Sequence, residues 1–275
     1  MSQDTLVPTS VQEVIESVKS HSSIIPRGSG SKASLWQADE STTLLDMRNL
    51  SGIVEYQPSE YTITVQAGTK LIEVVDALKA NGQYLPFDPP LASEDATIGG
   101  TVAAGLSGPG AYRYGPLKDF IIGVRFIDGL GDLIRGGGKV VKNAAGFDFP
   151  KLFNGSMGRL GILTEVSFKV FPEPRAYVTL QTTYQNPEEA LKVLPLLMGF
   201  DLEGVELDAD WNLSLRLGYQ EPTMEAREKG LKSLIGQSLS LTLGEEESTS
   251  WEKIKAFDWH ETGNHLFKTA THPES

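Results

Sequence analysis

Residues 95–115 read Asp-Ala-Thr-Ile-Gly-Gly-Thr-Val-Ala-Ala-Gly-Leu-Ser-Gly-Pro-Gly-Ala-Tyr-Arg-Tyr-Gly, with no acidic residue after Asp95. Glycine has no Cβ, so such a run lets a bulky ligand come close to the main chain, and its N–H groups suit an anion. A second segment of this kind lies upstream, Ile25-Pro26-Arg27-Gly28-Ser29-Gly30-Ser31-Lys32. A third lies downstream, Gly155-Ser156-Met157-Gly158-Arg159-Leu160-Gly161-Ile162-Leu163. Each segment alone reads as a surface turn, a bulge or a bend before a strand. The three together, with strands between them, predict a site for a large phosphate-bearing cofactor.

Other chemistry is scarce. The chain has 275 residues and no cysteine, which excludes disulfides, a thiol nucleophile and cysteine-ligated iron–sulfur clusters. Of the four histidines, His260 and His265 are five apart, which is not the His-Glu-x-x-His spacing of a zinc site. All four, His21, His260, His265 and His272, read as surface or tail residues, and no metal site is expected. Lys142, Asn143 and Asp148, after Gly136-Gly137-Gly138, read either as a solvated loop or as a polar group near the cofactor or at a subunit interface. The net charge of −12 argues against nucleic acid as a partner. That charge is uneven: residues 101–175 are net basic and residues 176–275 strongly acidic. Basic charge beside the glycine-rich segments suits a pyrophosphate. No apolar run reaches the ~18 residues of a membrane span. The start, Met1-Ser2-Gln3-Asp4, lacks the basic and apolar stretches of a signal peptide. The expected location is cytoplasmic, at most peripheral to a membrane through partner subunits.

The elements that must hold these segments follow from hydrophobic periodicity. Ser10–Ser20 has helix spacing with Ser10 as N-cap, and Thr69–Asn81 is a second amphipathic helix ended by Gly82. Strands are expected at Ile24-Ile25, Thr43–Asp46, Thr62–Ala67 and Leu163–Phe171. Phe120–Asp128 and Asp132–Arg135 form a hairpin turned at Gly129-Leu130-Gly131. Thr97–Ala104 opens the main glycine-rich loop. Pro172-Glu173-Pro174 marks a boundary, giving domains 1–174 and 175–275. Beyond it, strands at Val178–Tyr184, Val205–Leu207, Leu213–Tyr219 and Leu239–Leu243 alternate with helices at Pro187–Met198 and Pro222–Ile235. That strand-helix-strand-strand-helix-strand order is ferredoxin-like. Residues 245–275 read as a polar ending.

Several ordered motifs resemble the FAD-binding domain of the vanillyl-alcohol oxidase and para-cresol methylhydroxylase superfamily. They are Pro26–Ser31, Val65-Gln66-Ala67-Gly68-Thr69, Leu85-Pro86-Phe87-Asp88-Pro89-Pro90, Thr97–Ala103 with Tyr114-Gly115, and Gly158–Glu165. Ala103-Ala104-Gly105-Leu106-Ser107-Gly108-Pro109 and Lys142–Asp148 further resemble the FAD-binding E subunit of glycolate oxidase complexes. The resemblance implies an α+β fold: a two-part FAD-binding domain followed by a short ferredoxin-like cap. It implies that Pro26, Arg27, Gly28, Ser29, Gly30 and Ser31 hold the pyrophosphate, and that Pro89 starts the flavin contact. Thr97, Ile98, Gly99, Gly100, Thr101 and Ala103 would line the cofactor, with Gly115 near the isoalloxazine and Gly161 and Ile162 at the adenine end. Ser31 and Lys32 stand where covalent members carry a flavin-linked histidine, so the FAD is expected to be non-covalent.

The implied function is the FAD-binding subunit of a glycolate (2-hydroxy acid) oxidase or dehydrogenase complex, an FAD-dependent oxidoreductase. The implied partners are a homologous flavoprotein, an iron–sulfur subunit and a small 2-hydroxy acid. Catalytic relatives carry a Gly-Asp-Gly-Asn segment that this chain lacks, so no catalytic residue is assigned. Two alternatives stay open: a self-sufficient FAD oxidase of a small alcohol or sugar lactone, and an assembly subunit in which FAD is structural.

Overall fold

The chain enters on a short strand and a helix, β1 (Thr5–Leu6) and α1 (Val11–Ser20), followed by β2 (Ile24–Arg27) and β3 (Thr43–Asp46). The structure, a computed structural model, describes residues 4–32, 39, 41–138, 147–219 and 223–259. Then come β4 (Ile53–Gln57), β5 (Thr62–Gln66), α2 (Leu71–Lys79), β6 (Gln83–Tyr84), α3 (Ile98–Ala104) and α4 (Ala111–Tyr114). Next are β7 (Ile121–Ile127), β8 (Leu133–Gly137), α5 (Phe149–Phe153), β9 (Ile162–Lys169) and β10 (Phe171–Pro172). The last part holds β11 (Tyr177–Thr183), α6 (Pro187–Leu197), β12 (Gly204–Leu207), β13 (Asn212–Gly218), α7 (Met224–Ile235), β14 (Ser240–Leu243) and α8 (Gly244–Ala256). Among the described residues no helix is long and apolar enough to cross a membrane.

Two units emerge: Met1–Ser107 with Pro116–Glu173, and Gly108–Gly115 with Pro174–Ser275. The first holds a three-stranded parallel sheet in the order β1-β3-β2 and a five-stranded antiparallel sheet in the order β4-β5-β9-β7-β8. Helix α1 forms where expected. Ser10 caps it by accepting the Glu13 N–H, and Val14 and Val18 bury against Leu45, Met47, Leu50, Ile127 and Ile162. Completely burying an aliphatic side chain is worth about 1.5–3 kcal/mol, so this apolar stripe, more than helix propensity, fixes α1 on the sheet.

One difference from the sequence reading matters for function. The stretch from Thr97 reads as loop but forms α3. Thr97 is its N-cap, with its hydroxyl accepting the Gly100 N–H, and Gly105 at φ +65° closes it by donating to the Thr101 and Val102 carbonyls. Each helical glycine costs about 0.5–1 kcal/mol relative to alanine. Burial of Ile98, Thr101 and Val102 outweighs that cost.

In the second unit the strand order β12-β13-β11-β14, all antiparallel, with α6 and α7 as crossovers, is the ferredoxin-like arrangement. Leu180, Leu213, Leu215 and Leu217 pack with Ala190, Leu197, Leu231 and Ile235 in one core. The polar ending read from 245 onward is corrected in part, because Gly244–Ala256 is helical. Its buried residues are Glu247 and Trp251. A helix held by a charge and one aromatic shows little apolar period, so hydrophobic spacing does not reveal it.

Candidate functional site

Thr97 is the centre of the site. It is almost completely buried, it caps α3, and its hydroxyl lies directly under Gly28. A Cβ built on Gly28 would stand 2.1 Å from Thr97 Oγ1. Only glycine lets the segment after β2 lie this close to the start of α3. Gly99 is fixed by packing as well. Its N–H donates to the Ala67 carbonyl at 2.7 Å, and a Cβ there would meet the Ala67 Cβ at 3.0 Å. Gly100 differs: apart from Thr97 Oγ1 at 3.1 Å, a Cβ there meets nothing within 4 Å.

Around this point lies a cleft of about 70 Å³ lined by Pro26, Arg27, Gly28, Met47, Ala67, Thr97, Gly99, Gly100, Ala103, Ser156, Met157, Gly158, Gly161 and Leu163. All three glycine-rich segments reach it. The third is tied to α3 by main-chain bonds, Gly155 N–H to the Val102 carbonyl and Met157 N–H to the Ala103 carbonyl, both at 3.0 Å.

Eight residues singled out from the sequence line this cleft: Pro26, Arg27, Gly28, Thr97, Gly99, Gly100, Ala103 and Gly161. Ser29, Gly30 and Ser31 follow Gly28 on the same segment but are not among its lining residues. Ile98, Thr101 and Pro89 are buried outside the lining. Ile162 is 4% exposed and belongs to the α1 core, so its side chain packs there. Gly115 groups with the second unit. Lys142, Asn143, His260, His265 and His272 lie outside the described residues. Asp148 caps α5 by accepting the Lys151 N–H. The ring of His21 sits 2.9 Å from the Ser17 carbonyl.

The donors divide unequally among the segments. The Ile98, Gly99 and Gly100 N–H groups already serve Thr69, Ala67 and Thr97. The expectation that all three segments offer main-chain donors is thereby narrowed: α3 contributes shape. Among the described residues no acceptor receives the N–H of Gly28, Ser29 or Gly30. Gly30 takes φ +83°, and Arg27 folds back so that a Cβ on Gly30 would meet its Nη2 at 2.7 Å. The arginine therefore braces its own loop.

The segment after β2 carries two basic side chains, Arg27 and Lys32. Burial pushes the Lys32 ammonium down to about 8. Across the sheet from Arg27, the Asp46 carboxyl is held below its usual range, chiefly by the Arg48 guanidinium that binds it, against an opposing effect of burial. Asp46 is thus committed to Arg48 and leaves Arg27 facing the cleft side of the loop.

The FAD implied by the motifs can be tested against this geometry. The hydroxyls of Thr101 and Ser156 and the side-chain carbonyl of Asn154 are buried without a partner. Buried polar groups left unpaired cost about 1–3 kcal/mol each, so they mark positions where a polar ligand or water belongs. With amides at 28–30 that no described residue accepts from and a glycine-walled cleft, the residues present fit a phosphate-bearing dinucleotide. Ser156, Met47 and Leu163 are absent from the sequence-derived set; the first was visible as the residue after Gly155 in the third segment.

A larger recess of about 910 Å³ lies in the second unit, with Gln181, Asp208, Asn212 and Trp259 among its lining residues. Its polar groups largely satisfy one another, as in Thr183 to Asn212, Gln181 to Ser214 and Asn212 to Asp208. Among the described residues no group of histidine and carboxylate side chains could hold a metal ion.

A family model described as an FAD binding domain matches residues 4–137. Glycolate oxidase subunit GlcE of Escherichia coli (strain K12) is 44% identical over 171 residues, 62% of this chain and 49% of that protein. Glycolate oxidase subunit GlcD of Bacillus subtilis (strain 168) is 34% identical over 172 residues, 62% of this chain and 36% of that protein. The chain thus spans about half the length of the first relative and less of the second. Among solved structures, an alkyldihydroxyacetonephosphate synthase superposes with a TM-score of 0.70 at 19% identity, covering 91% of this chain and 57% of that one. The expected fold class, an FAD-binding fold of the para-cresol methylhydroxylase type with a ferredoxin-like unit after it, is the one observed.

Proposed function

We propose, from the match of residues 4–137 to a family model described as an FAD binding domain, that the chain is the FAD-binding subunit of a glycolate (2-hydroxy acid) oxidase or dehydrogenase complex. The observation that carries the cofactor half of this reading is the convergence of three glycine-rich segments on one cleft beside unpaired buried hydroxyls. The likeness to the two glycolate oxidase subunits supports the rest.

In this reading the Gly28, Ser29 and Gly30 amides take the pyrophosphate, and Arg27 adds positive charge and holds the loop in shape. Gly99, Gly100, Ala103 and Gly161 form walls that keep side chains out of the cofactor's space. Ser156, which lines the cleft, supplies a hydroxyl to its polar edge. Pro89, Ser31, Ile98, Thr101 and Ile162 complete the proposed contact set. When bound, the flavin supplies the redox chemistry, and the protein supplies binding, orientation and exclusion of water. The FAD is held without a covalent bond, since no cysteine exists and Ser31 and Lys32 occupy the loop position concerned.

The partners in this reading come from the likeness to two glycolate oxidase subunits. A hydroxy-acid site needs a base beside the flavin and a cation for the carboxylate. The sequence has no Gly-Asp-Gly-Asn segment and no cysteine for a cluster relay. A homologous flavoprotein carries the substrate site in this reading, and an iron–sulfur subunit carries electrons onward. Any membrane association runs through those subunits.

The expected result is that the pure, FAD-loaded chain shows no useful dye-linked turnover of glycolate or D-lactate, whereas the co-expressed complex turns over glycolate. Comparable turnover by the chain alone would favour a self-sufficient oxidase. A flavin on this chain that stays oxidised when the active complex receives glycolate would make its FAD structural.

A further inference from the structure

Within the first unit, charged side chains alternate in sign between two of the segments that meet at the cleft: Lys70, Asp95, Arg48, Asp46 and Arg27. Lys70 bonds Asp95 at 2.7 Å, and its main chain bridges to Thr97. The Arg48 guanidinium is held charged by Asp46 first and by Asp95 at longer range. Arg48 Nε lies 2.9 and 3.0 Å from the two Asp46 oxygens, and the Arg48 main-chain N–H donates to Asp46 Oδ1 at 3.1 Å. Asp46 ends the row as the register partner of Arg27 on the parallel strand β2.

Register partners project from the same face of a sheet, so Asp46 and Arg27 are placed to form an ion pair. They do not form one. Asp46 takes its bonds from Arg48, and Arg27 has no ion-pair partner among the described residues. The Asp46 side chain is 12% exposed and that of Arg48 60%. A carboxylate so enclosed needs a cation beside it, whereas Arg48 adds little packing of its own. The turn between them is fixed without the ion pair. Met47 is buried, and a Cβ on Gly68 would stand 1.9 Å from the Met47 carbonyl oxygen. Removing the Arg48 side chain therefore leaves the Asp46 carboxylate in place, with Arg27 as the cation on the neighbouring strand. Capture by Asp46 would draw the guanidinium away from Gly30, where Nη2 lies 2.7 Å from the position of a Cβ. The loop that offers the Gly28–Gly30 amides would lose its brace.

We infer that Arg48 is a positioning residue for the cofactor loop: by occupying Asp46 it keeps Arg27 on the Gly28–Gly30 segment, at the cleft. The part of this inference that concerns the cofactor rests on the FAD reading above. A guanidinium fork suits the task, because it meets both carboxylate oxygens at once, which an ammonium does not. Lys70 supports it by holding Asp95, which leaves Arg48 to Asp46.

The test uses the full chain as wild type, Arg48→Ala, Arg48→Lys and the double variant Arg48→Ala/Asp46→Asn, with thermal melts to confirm folding. Arg27 is exposed and unpaired, so phenylglyoxal, an arginine reagent, labels it in the FAD-free chain, and peptide mass spectrometry reads the rate. Arg48→Ala is expected to slow the labelling of Arg27 and to weaken FAD binding about tenfold, the scale of one charge-assisted hydrogen bond. The double variant lacks the bridge but also the bare acid, and is expected to recover both; Arg48→Lys recovers part. Unchanged Arg27 labelling in Arg48→Ala overturns the inference whatever the affinity does, since Arg48 then acts only through its charge. Slower labelling with unchanged affinity overturns the link to the cofactor. A double variant that binds FAD as weakly as Arg48→Ala makes the bridge merely structural and overturns the inference as well. Failure of the wild-type chain to bind FAD strikes the FAD reading, whereas the labelling comparison stands apart from it. Should Arg48→Ala not fold, Arg48→Gln and its double with Asp46→Asn carry the same comparison.

Discussion

Gly100→Val is expected to weaken FAD binding roughly ten- to hundredfold in a chain that still folds. A Cβ at Gly100 meets only the Thr97 hydroxyl, so the branched side chain enters the cleft and leaves the core untouched. Overfilling a fitted site costs about 1–3 kcal/mol, roughly ten- to hundredfold in affinity. Gly99→Val is the instructive contrast. Its side chain drives into Ala67, so it damages the α3–β5 packing as well as the cleft. Arg27→Ala should weaken binding less than Gly100→Val, because the Gly28–Gly30 amides remain. Fluorescence quenching of FAD, read beside thermal melts, separates the three. Full affinity in folded Gly100→Val would remove α3 from the cofactor site.

Glu247→Ala is expected to destabilise the second unit by about 3–5 kcal/mol, the range for removing one partner of a buried ion pair. Arg216 is 8% exposed, bonds both Glu247 oxygens at 2.8 and 3.3 Å, and lies 3.8 Å from the Tyr177 ring centre. Thr179 donates to Glu247 Oε1 at 3.1 Å and accepts from the Trp251 indole at 2.8 Å. Losing the carboxylate removes the counter-charge bonded to a buried guanidinium. The double variant Arg216→Met/Glu247→Met should recover much of the loss, since apolar replacement of both partners is tolerated. Urea unfolding followed by circular dichroism measures both. A loss under about 1 kcal/mol for Glu247→Ala would class the pair with exposed ones.

The sequence was most readable where apolar spacing is strong. Val14, Val18 and Leu45 mark α1 and its sheet, and Leu213, Leu215 and Leu217 alternate cleanly into one face of β13. It was least readable where polar groups do the packing. Helix α8 rests on Glu247 and Trp251, and α3 is built over glycines, so neither shows a hydrophobic period. The cleft was legible as three motifs, yet the division of labour within it was not. Gly28 and Gly99 look alike in sequence. Among the described residues one carries an amide without an acceptor over Thr97, and the other an amide spent on Ala67. The excursion of Gly108–Gly115 to Glu203 also escaped the motif reading, because the two partners are ninety residues apart and belong to different segments of the pattern.

The most direct measurement is a titration of the purified chain with FAD, followed by flavin fluorescence and then by acid release. The account predicts saturable quenching at a single site, a yellow protein, and intact FAD in the supernatant once the protein is denatured. A colourless chain that leaves the fluorescence of added FAD unchanged would contradict it.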